Sequence, residues 1–140
     1  MKRNLVVIGC SALLAFGLSF GSFAGSSPDG DSDGVPDAYD NCTTTPNGPL
    51  AGTGSCNSQE DANLDGYGNP CDADLNNDGA TGLDDIAALL LQLNQPGDGD
   101  MNCDGAVGLD DAATALGTLN QPPGPSGLSC AGSGTPCSAS

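Results

Sequence analysis

The sequence contains no histidine and no tryptophan, and its only two basic residues, Lys2 and Arg3, stand at its start. Beyond Arg3 no side chain can carry a positive charge. A chain without a basic patch has nothing to hold phosphate groups, so nucleic acid and anionic lipid surfaces are excluded as partners. Most acid–base and nucleophile-activating arrangements need His, Lys or Arg and are excluded with them. Aromatic residues are almost as scarce. All three Phe lie before residue 24, leaving Tyr39 and Tyr67 as the only aromatics after it. Glycoside hydrolysis needs only two carboxylates. It also needs a cleft with aromatic platforms and a carboxyl kept protonated by burial. The expectation is that this chain is not an enzyme.

What is present falls into three kinds. The first is a leader: Met1-Lys2-Arg3, an apolar run from Leu5 to Phe20, then Ser22-Phe23-Ala24. Basic, apolar and small-x-small regions in that order predict a signal peptide over residues 1–24 and an exported chain. Val7-Ile8-Gly9-Cys10 looks like a lipoprotein cleavage box, which offers lipidation at Cys10 as the alternative. The apolar run is short for a membrane span, has no basic stop-transfer flank, and no second run follows, so no span is expected.

The second kind is acidic. All 18 Asp and Glu residues lie past residue 24, where no Lys or Arg remains, so that part has a formal charge of −18. A chain so polar and so poor in apolar bulk should stay disordered unless something else holds it. The third kind is cysteine: Cys42, Cys56, Cys71, Cys103, Cys130 and Cys137 follow the leader. An even number in an exported chain predicts disulfides. A Cys42–Cys56 bridge closing the Gly/Pro-rich insert 43–58 is one expectation among the fifteen possible pairings of six cysteines. Metal binding by the thiols is the alternative; the absence of His and of C-x-x-C pairs speaks against it.

The acids are not scattered. Four twelve-residue segments carry Asp or Asn at positions one, three and five, Gly at six and Asp at twelve. They are Asp29 to Asp40, Asp61 to Asp72, Asp74 to Asp85 and Asp100 to Asp111. Calcium takes six to eight hard oxygen ligands, and a loop of this length can wrap them round one ion. Positions one, three, five and twelve supply side chains, position seven a backbone carbonyl, and position nine a direct or water-mediated contact. The candidate ligands are then Asp29, Asp31, Asp33, Val35, Asp37 and Asp40 in loop one. Loop two offers Asp61, Asn63, Asp65, Tyr67, Asn69 and Asp72. Loop three offers Asp74, Asn76, Asp78, Ala80 and Asp85; loop four offers Asp100, Asn102, Asp104, Ala106 and Asp111. About four calcium ions are expected. Asp at position twelve has a shorter reach than Glu, which could weaken calcium or admit magnesium.

Loops three and four form an internal repeat offset by 26 residues, down to Leu93-Asn94-Gln95-Pro96 against Leu119-Asn120-Gln121-Pro122. Each loop is followed by a helical stripe at i, i+3, i+4, i+7: Ile86, Leu89, Leu90, Leu93, and Ala112, Ala115, Leu116, Leu119. Pro96 and Pro122 are expected to mark the stops, and Gly117 and the alanines to weaken the second helix. No helix is expected before either loop. Neither stripe can be hidden alone, so the two helices should pack together about a pseudo-twofold axis.

This tandem D-x-N-x-D-G loop, each copy with one exiting helix, resembles the dockerin type I domain over residues 72–122. The resemblance implies two bound calcium ions and docking to a cohesin-like protein through positions ten and eleven: Leu83-Asp84 and Leu109-Asp110. The helices here lack the basic residues usual at that interface. Loops one and two have no helix after them. The run Asp29 to Cys42, and Asp61 to Asp72 with Asn69 where Asp is usual, resemble thrombospondin type 3 repeats. Those are calcium-filled, disulfide-stapled strings with little regular structure.

The expected fold class is a small, mostly irregular calcium-loop protein with two short α-helices, stapled by disulfides. The expected order is a signal peptide (1–24), thrombospondin type 3-like loops (25–72), a dockerin-like pair of loop-helix units (73–122) and a Gly/Pro/Ser-rich tail (123–140). That tail is expected to be stapled back onto the second repeat. Two functions remain open. One is a secreted structural or adhesive component, compact only with calcium. The other is a recognition module for a cohesin-like partner or an extracellular matrix or polysaccharide-associated protein.

Overall fold

The computed structural model describes residues 27–52, 56–134 and 136–139. The leader, its cleavage region and Cys10 lie outside them. No helix among the described residues is long and apolar enough to cross a membrane. Among the described residues there are two α-helices, α1 (Leu83–Leu91) and α2 (Leu109–Gly117). There are also two single 3₁₀ turns, Asp37–Tyr39 and Asn69–Cys71. Among the described residues there is no β-strand, only an isolated parallel bridge between Asp65 and Cys137.

Each helix begins where a loop ends. Gly82 and Gly108 take extended N-cap conformations, and Asp85 and Asp111 reach back to accept their N–H groups at 2.6 and 2.7 Å. Two acids in each first turn face the positive end of the helix dipole. The helices stop well short of Pro96 and Pro122. Asn94 and Asn120 each adopt a left-handed conformation, φ 62°, which closes the C-terminal turn before the proline is reached. Gly117 does not shorten the second helix: both helices have nine residues.

The two units pack as a pseudo-twofold pair. Thr81 exchanges two backbone hydrogen bonds with Asn120 and Gln121 beyond α2, both 2.9 Å. Val107, the residue equivalent to Thr81, does the same with Asn94 and Gln95 beyond α1, at 2.9 and 2.8 Å. Ile86, Leu89, Ala112 and Ala115 meet between the helices with Ala73, Met101 and Val107, and Leu75, Leu93 and Leu119 pack at the edge. Leu90 and Leu116, expected in the stripe, point outward and are about half exposed. The core is completed instead by loop residues, Ala73, Met101 and Val107.

Loops one and two also form a repeat, offset by 32 residues. Asp37 N–H donates to the Pro28 carbonyl and Asn69 N–H to that of Glu60, both 2.8 Å. Cys42 and Asp74 N–H groups donate to the carboxylates of Asp40 and Asp72 at 2.8 and 2.9 Å. No apolar stripe follows either loop, so each 3₁₀ turn ends in an extended Asp instead of growing into a helix.

The disulfides are Cys42–Cys71, Cys56–Cys103 and Cys130–Cys137. This corrects the expected Cys42–Cys56 pairing. Loops one and two pack side by side, with Gly68 N–H on the Asn41 carbonyl at 3.1 Å, which sets Cys42 against Cys71. Cys56 is left to join the insert to loop four. The tail also differs from expectation. Its cysteines pair with each other, and it lies along loops one and two rather than on the second repeat. Gly124, Gly127, Gly132 and Cys137 N–H groups donate to carbonyls of Cys71, Asp40, Asp65 and Leu64 at 2.8 to 2.9 Å.

Candidate metal centres

The four acidic loops share one backbone course. Position four is left-handed in each, with φ of 63° at Ser32, 61° at Leu64, 58° at Asn77 and 54° at Cys103. Position six follows at φ 94° to 106°, a region that Gly enters without steric cost: Gly34, Gly66, Gly79 and Gly105. Side chains hold this course with the same three bonds each time. The position-one carboxylate accepts the Gly N–H at position six: Asp29 at 3.2, Asp61 at 3.0, Asp74 at 2.7 and Asp100 at 2.9 Å. Position three accepts the N–H of position five through Asp31, Asn63, Asn76 and Asn102, at 2.8 to 3.3 Å. Position five accepts the N–H of position seven through Asp33, Asp65, Asp78 and Asp104, again at 2.8 to 3.3 Å. Side-chain oxygens thus shape each loop; Asp29 and Asp31 keep a second oxygen buried without a partner, whereas the second oxygens of Asp33, Asp61, Asp74 and Asp100 accept further backbone N–H groups. Among the described residues, the carbonyls of Val35, Tyr67, Ala80 and Ala106 at position seven accept no hydrogen bond.

Comparison of the chain with protein-family models, with curated proteins and with solved structures finds no match. The chemistry of the loops therefore stands on their own geometry.

Loop one is the tightest. Carboxylate oxygens of Asp29, Asp31 and Asp33 lie within 4.8 Å of one another. Asp29 Oδ1, Asp31 Oδ2 and Asp40 Oδ2 are buried without a hydrogen-bond partner. Burial and the neighbouring charges of Asp33 and Asp40 push the Asp31 carboxyl up to about 6. Asp40 is raised by burial first, then by Asp33 and Asp37. Asp33 is fully buried, its second oxygen accepting the N–H groups of Asn47, at 2.8 Å, and Gly48. Below it Gln59 bridges to the Asp40 carboxylate at 2.9 Å. Crowded carboxylates with orphaned oxygens and no cationic side chain nearby cost free energy unless protons or a cation join them. An all-oxygen set suits a hard divalent ion. The other cluster of potential ligands, Cys56, Glu60 and Cys103, has its two sulfurs joined in a disulfide.

The remaining positions diverge. At position nine, Asp37 and Asn69 turn an oxygen back to the N–H at position two, Gly30 at 2.7 and Ala62 at 2.9 Å. At position twelve, Asp85 accepts Asn76 and Gly82 N–H groups; Asp111 accepts those of Met101, Asn102 and Gly108. These two carboxylates cap their helices while closing their loops. In loop two, burial pushes Asp72 up to about 8, with Asp65, Asp98 and Asp74 adding to it. Asp61 is raised by its own burial and by Asp65. Asp98 lies outside the twelve-residue register, yet burial together with Asp65 and Asp61 pushes it to about 7. The one sequence signal for it is the 26-residue repeat, in which Asp98 is the counterpart of Asp72.

Leu83 and Leu109 project from the starts of the two helices, 74% and 72% exposed. Beside them Asp84 and Asp110 accept a hydrogen bond from Asn76 and Asn102, both at 2.7 Å. A cleft of about 640 Å³ separates loops two and three from the tail; its single aromatic is Tyr67, beside Asp65, Asp74 and Asp78.

Proposed function

We propose that this chain is an exported, non-catalytic calcium-binding protein. Its fold is completed by about four ions, and it serves as a structural or adhesive component outside the cell. The observation that carries the reading is the hydrogen-bond pattern common to all four loops: side-chain oxygens at positions one, three and five hold the backbone in one shared course around an all-oxygen set. The orphaned oxygens of Asp29, Asp31 and Asp40 support it most directly. Raised carboxyl pKa values also suit general acids. Here Asp31, Asp72 and Asp98 adjoin other Asp residues, with no His, Lys or Arg to complete an acid–base set, so the cation reading accounts for them better.

Calcium at about four loops cancels about eight of the negative charges and fixes loop backbones that mutual repulsion otherwise expands. Extracellular calcium would keep sites filled even at affinities on the order of 10⁻⁴ M. The test is a calorimetric calcium titration of the oxidised chain with circular dichroism on the same samples. About four ions, with helix forming as loops three and four fill, is the expected result. No heat and no spectral change would overturn the reading.

A second reading, recognition of a cohesin-like partner, is favoured by the paired, exposed Leu83-Asp84 and Leu109-Asp110. A calcium-dependent partner captured from the source's own secreted proteins, and lost when all four residues are changed to Ala, would select it. No partner at physiological calcium favours the structural role.

A further inference from the structure

Loop two is short of charge. Loop one has five carboxylates at its ligand positions, whereas loop two has Asn63 and Asn69 at positions three and nine and keeps only Asp61, Asp65 and Asp72. The Asn69 side-chain oxygen is further engaged by Ala62 N–H at 2.9 Å. By the twelve-residue register this is the poorest of the sites that lack an exiting helix.

A residue from the other half of the chain adjoins it. After α1 the chain turns back through Gly97, whose carbonyl accepts the Asn69 side-chain amide at 3.4 Å. That contact sets Asp98 against loop two. Its carboxylate feels those of Asp65 and Asp61, positions five and one, and lies beside Asn63, position three. One oxygen, Oδ1, is buried without a partner. Asp72, position twelve, is 0% exposed. Its Oδ1 accepts Asp74 N–H at 2.9 Å, while its buried Oδ2 has no partner. Asp65 and Asp98 are the two strongest charges acting on it. Two orphaned oxygens, from residues 26 positions apart and equivalent in the internal repeat, thus belong to carboxylates on which the charge of Asp65, position five, acts. No Lys, Arg or His exists past Arg3 to neutralise them.

We propose that Asp98 is a ligand of the loop-two cation, so that this site is built jointly by the thrombospondin-like and dockerin-like halves. The inference rests on the calcium reading and adds to it a fourth carboxylate and a structural consequence. The loop-two ion ties the turn after α1 to loop two, alongside the Cys56–Cys103 bridge.

Tyr67 at position seven of loop two gives the test a local reporter. In a Tyr39→Phe background it is the only tyrosine of the chain, and it can sensitise the luminescence of a terbium ion bound beside it. The full oxidised chain carrying Tyr39→Phe is titrated with terbium, then with calcium as competitor. Asp98→Ala and Asp98→Asn are compared with it, helix content and the three disulfides being checked in each. The expected result is at least tenfold weaker loop-two binding for Asp98→Ala, an intermediate loss for Asp98→Asn, whose amide oxygen still ligates, and unchanged calorimetric affinity at the other sites. If Asp98→Ala does not fold, Asp98→Asn alone decides. Titrations of the variants superimposable on the parent overturn the role of Asp98 and leave the calcium reading intact. A parent chain that takes up neither terbium nor calcium overturns both.

Discussion

The buried carboxylates make the metal-free protein sensitive to pH in an unusual direction, and Asp72 sets the size of the effect. It is fully buried, and burial followed by the charges of Asp65, Asp98 and Asp74 pushes it to about 8. In the unfolded chain it titrates near the ordinary aspartate value of 3.8. The folded form therefore binds a proton more tightly than the unfolded form. Stability of the metal-free fold rises as pH falls from about 8 towards 4, and the gain is complete below the unfolded value. Holding Asp72 ionised in the fold at pH 8 costs on the order of 5 kcal/mol, comparable with the whole stability of a small domain. Asp98, pushed to about 7, and Asp31, pushed to about 6, act in the same direction, but both are partly exposed and solvent screens them.

With calcium the sign reverses. Protons and the ion compete for the same oxygens, so loss of calcium on acidification removes stability over the same pH window. Thermal melts followed by circular dichroism, after exhaustive chelation and again in millimolar calcium, check both signs. Without metal the midpoint is expected to be higher at pH 5 than at pH 8.5, or helix to appear only at the lower pH. With calcium the order is expected to invert. A metal-free midpoint that climbs from pH 5 to pH 8.5 would refute the reasoning. It would mean that these carboxylates are better solvated, or better partnered, than their burial implies.

Other outcomes follow from the same contacts. Leu89→Ala removes the largest fully buried side chain of the core, 1% exposed, and should cost about 3 kcal/mol in a calcium-saturated melt; Leu90→Ala should cost a small fraction of that. Replacing both Cys56 and Cys103 by Ser opens a 47-residue closure between the insert and loop four, expected to cost about 4 kcal/mol in the same assay. Asp85→Ala and Asp111→Ala each remove a position-twelve carboxylate that also caps a helix. Each should lower the calcium count by one and reduce helix content, and unchanged stoichiometry in both variants would sink that assignment.

The distribution of what was readable in the sequence follows from how local each determinant is. Positions one, three, five and six act within a single turn of chain, so their spacing carried the backbone course of all four loops, and the two helices followed from the acids and apolar residues just after loops three and four. The left-handed residue at position four left no trace, because Ser32, Leu64, Asn77 and Cys103 share no chemistry; the bonds on either side force the conformation. The helical stripe was read too wide by one residue in each helix, since Leu90 and Leu116 satisfy helical spacing but stay about half exposed, while loop residues Ala73, Met101 and Val107 complete the core. Cysteine pairing and the path of the tail depend on which loops lie side by side, a matter of packing that periodicity does not encode. Asp98 lies between these cases. As a lone acid in a Pro-Gly-Asp-Gly turn it looks like loop chemistry. As the repeat counterpart of Asp72 it is marked, and the contact from Asn69 to Gly97 gives the mark meaning by bringing the two halves of the chain together at loop two.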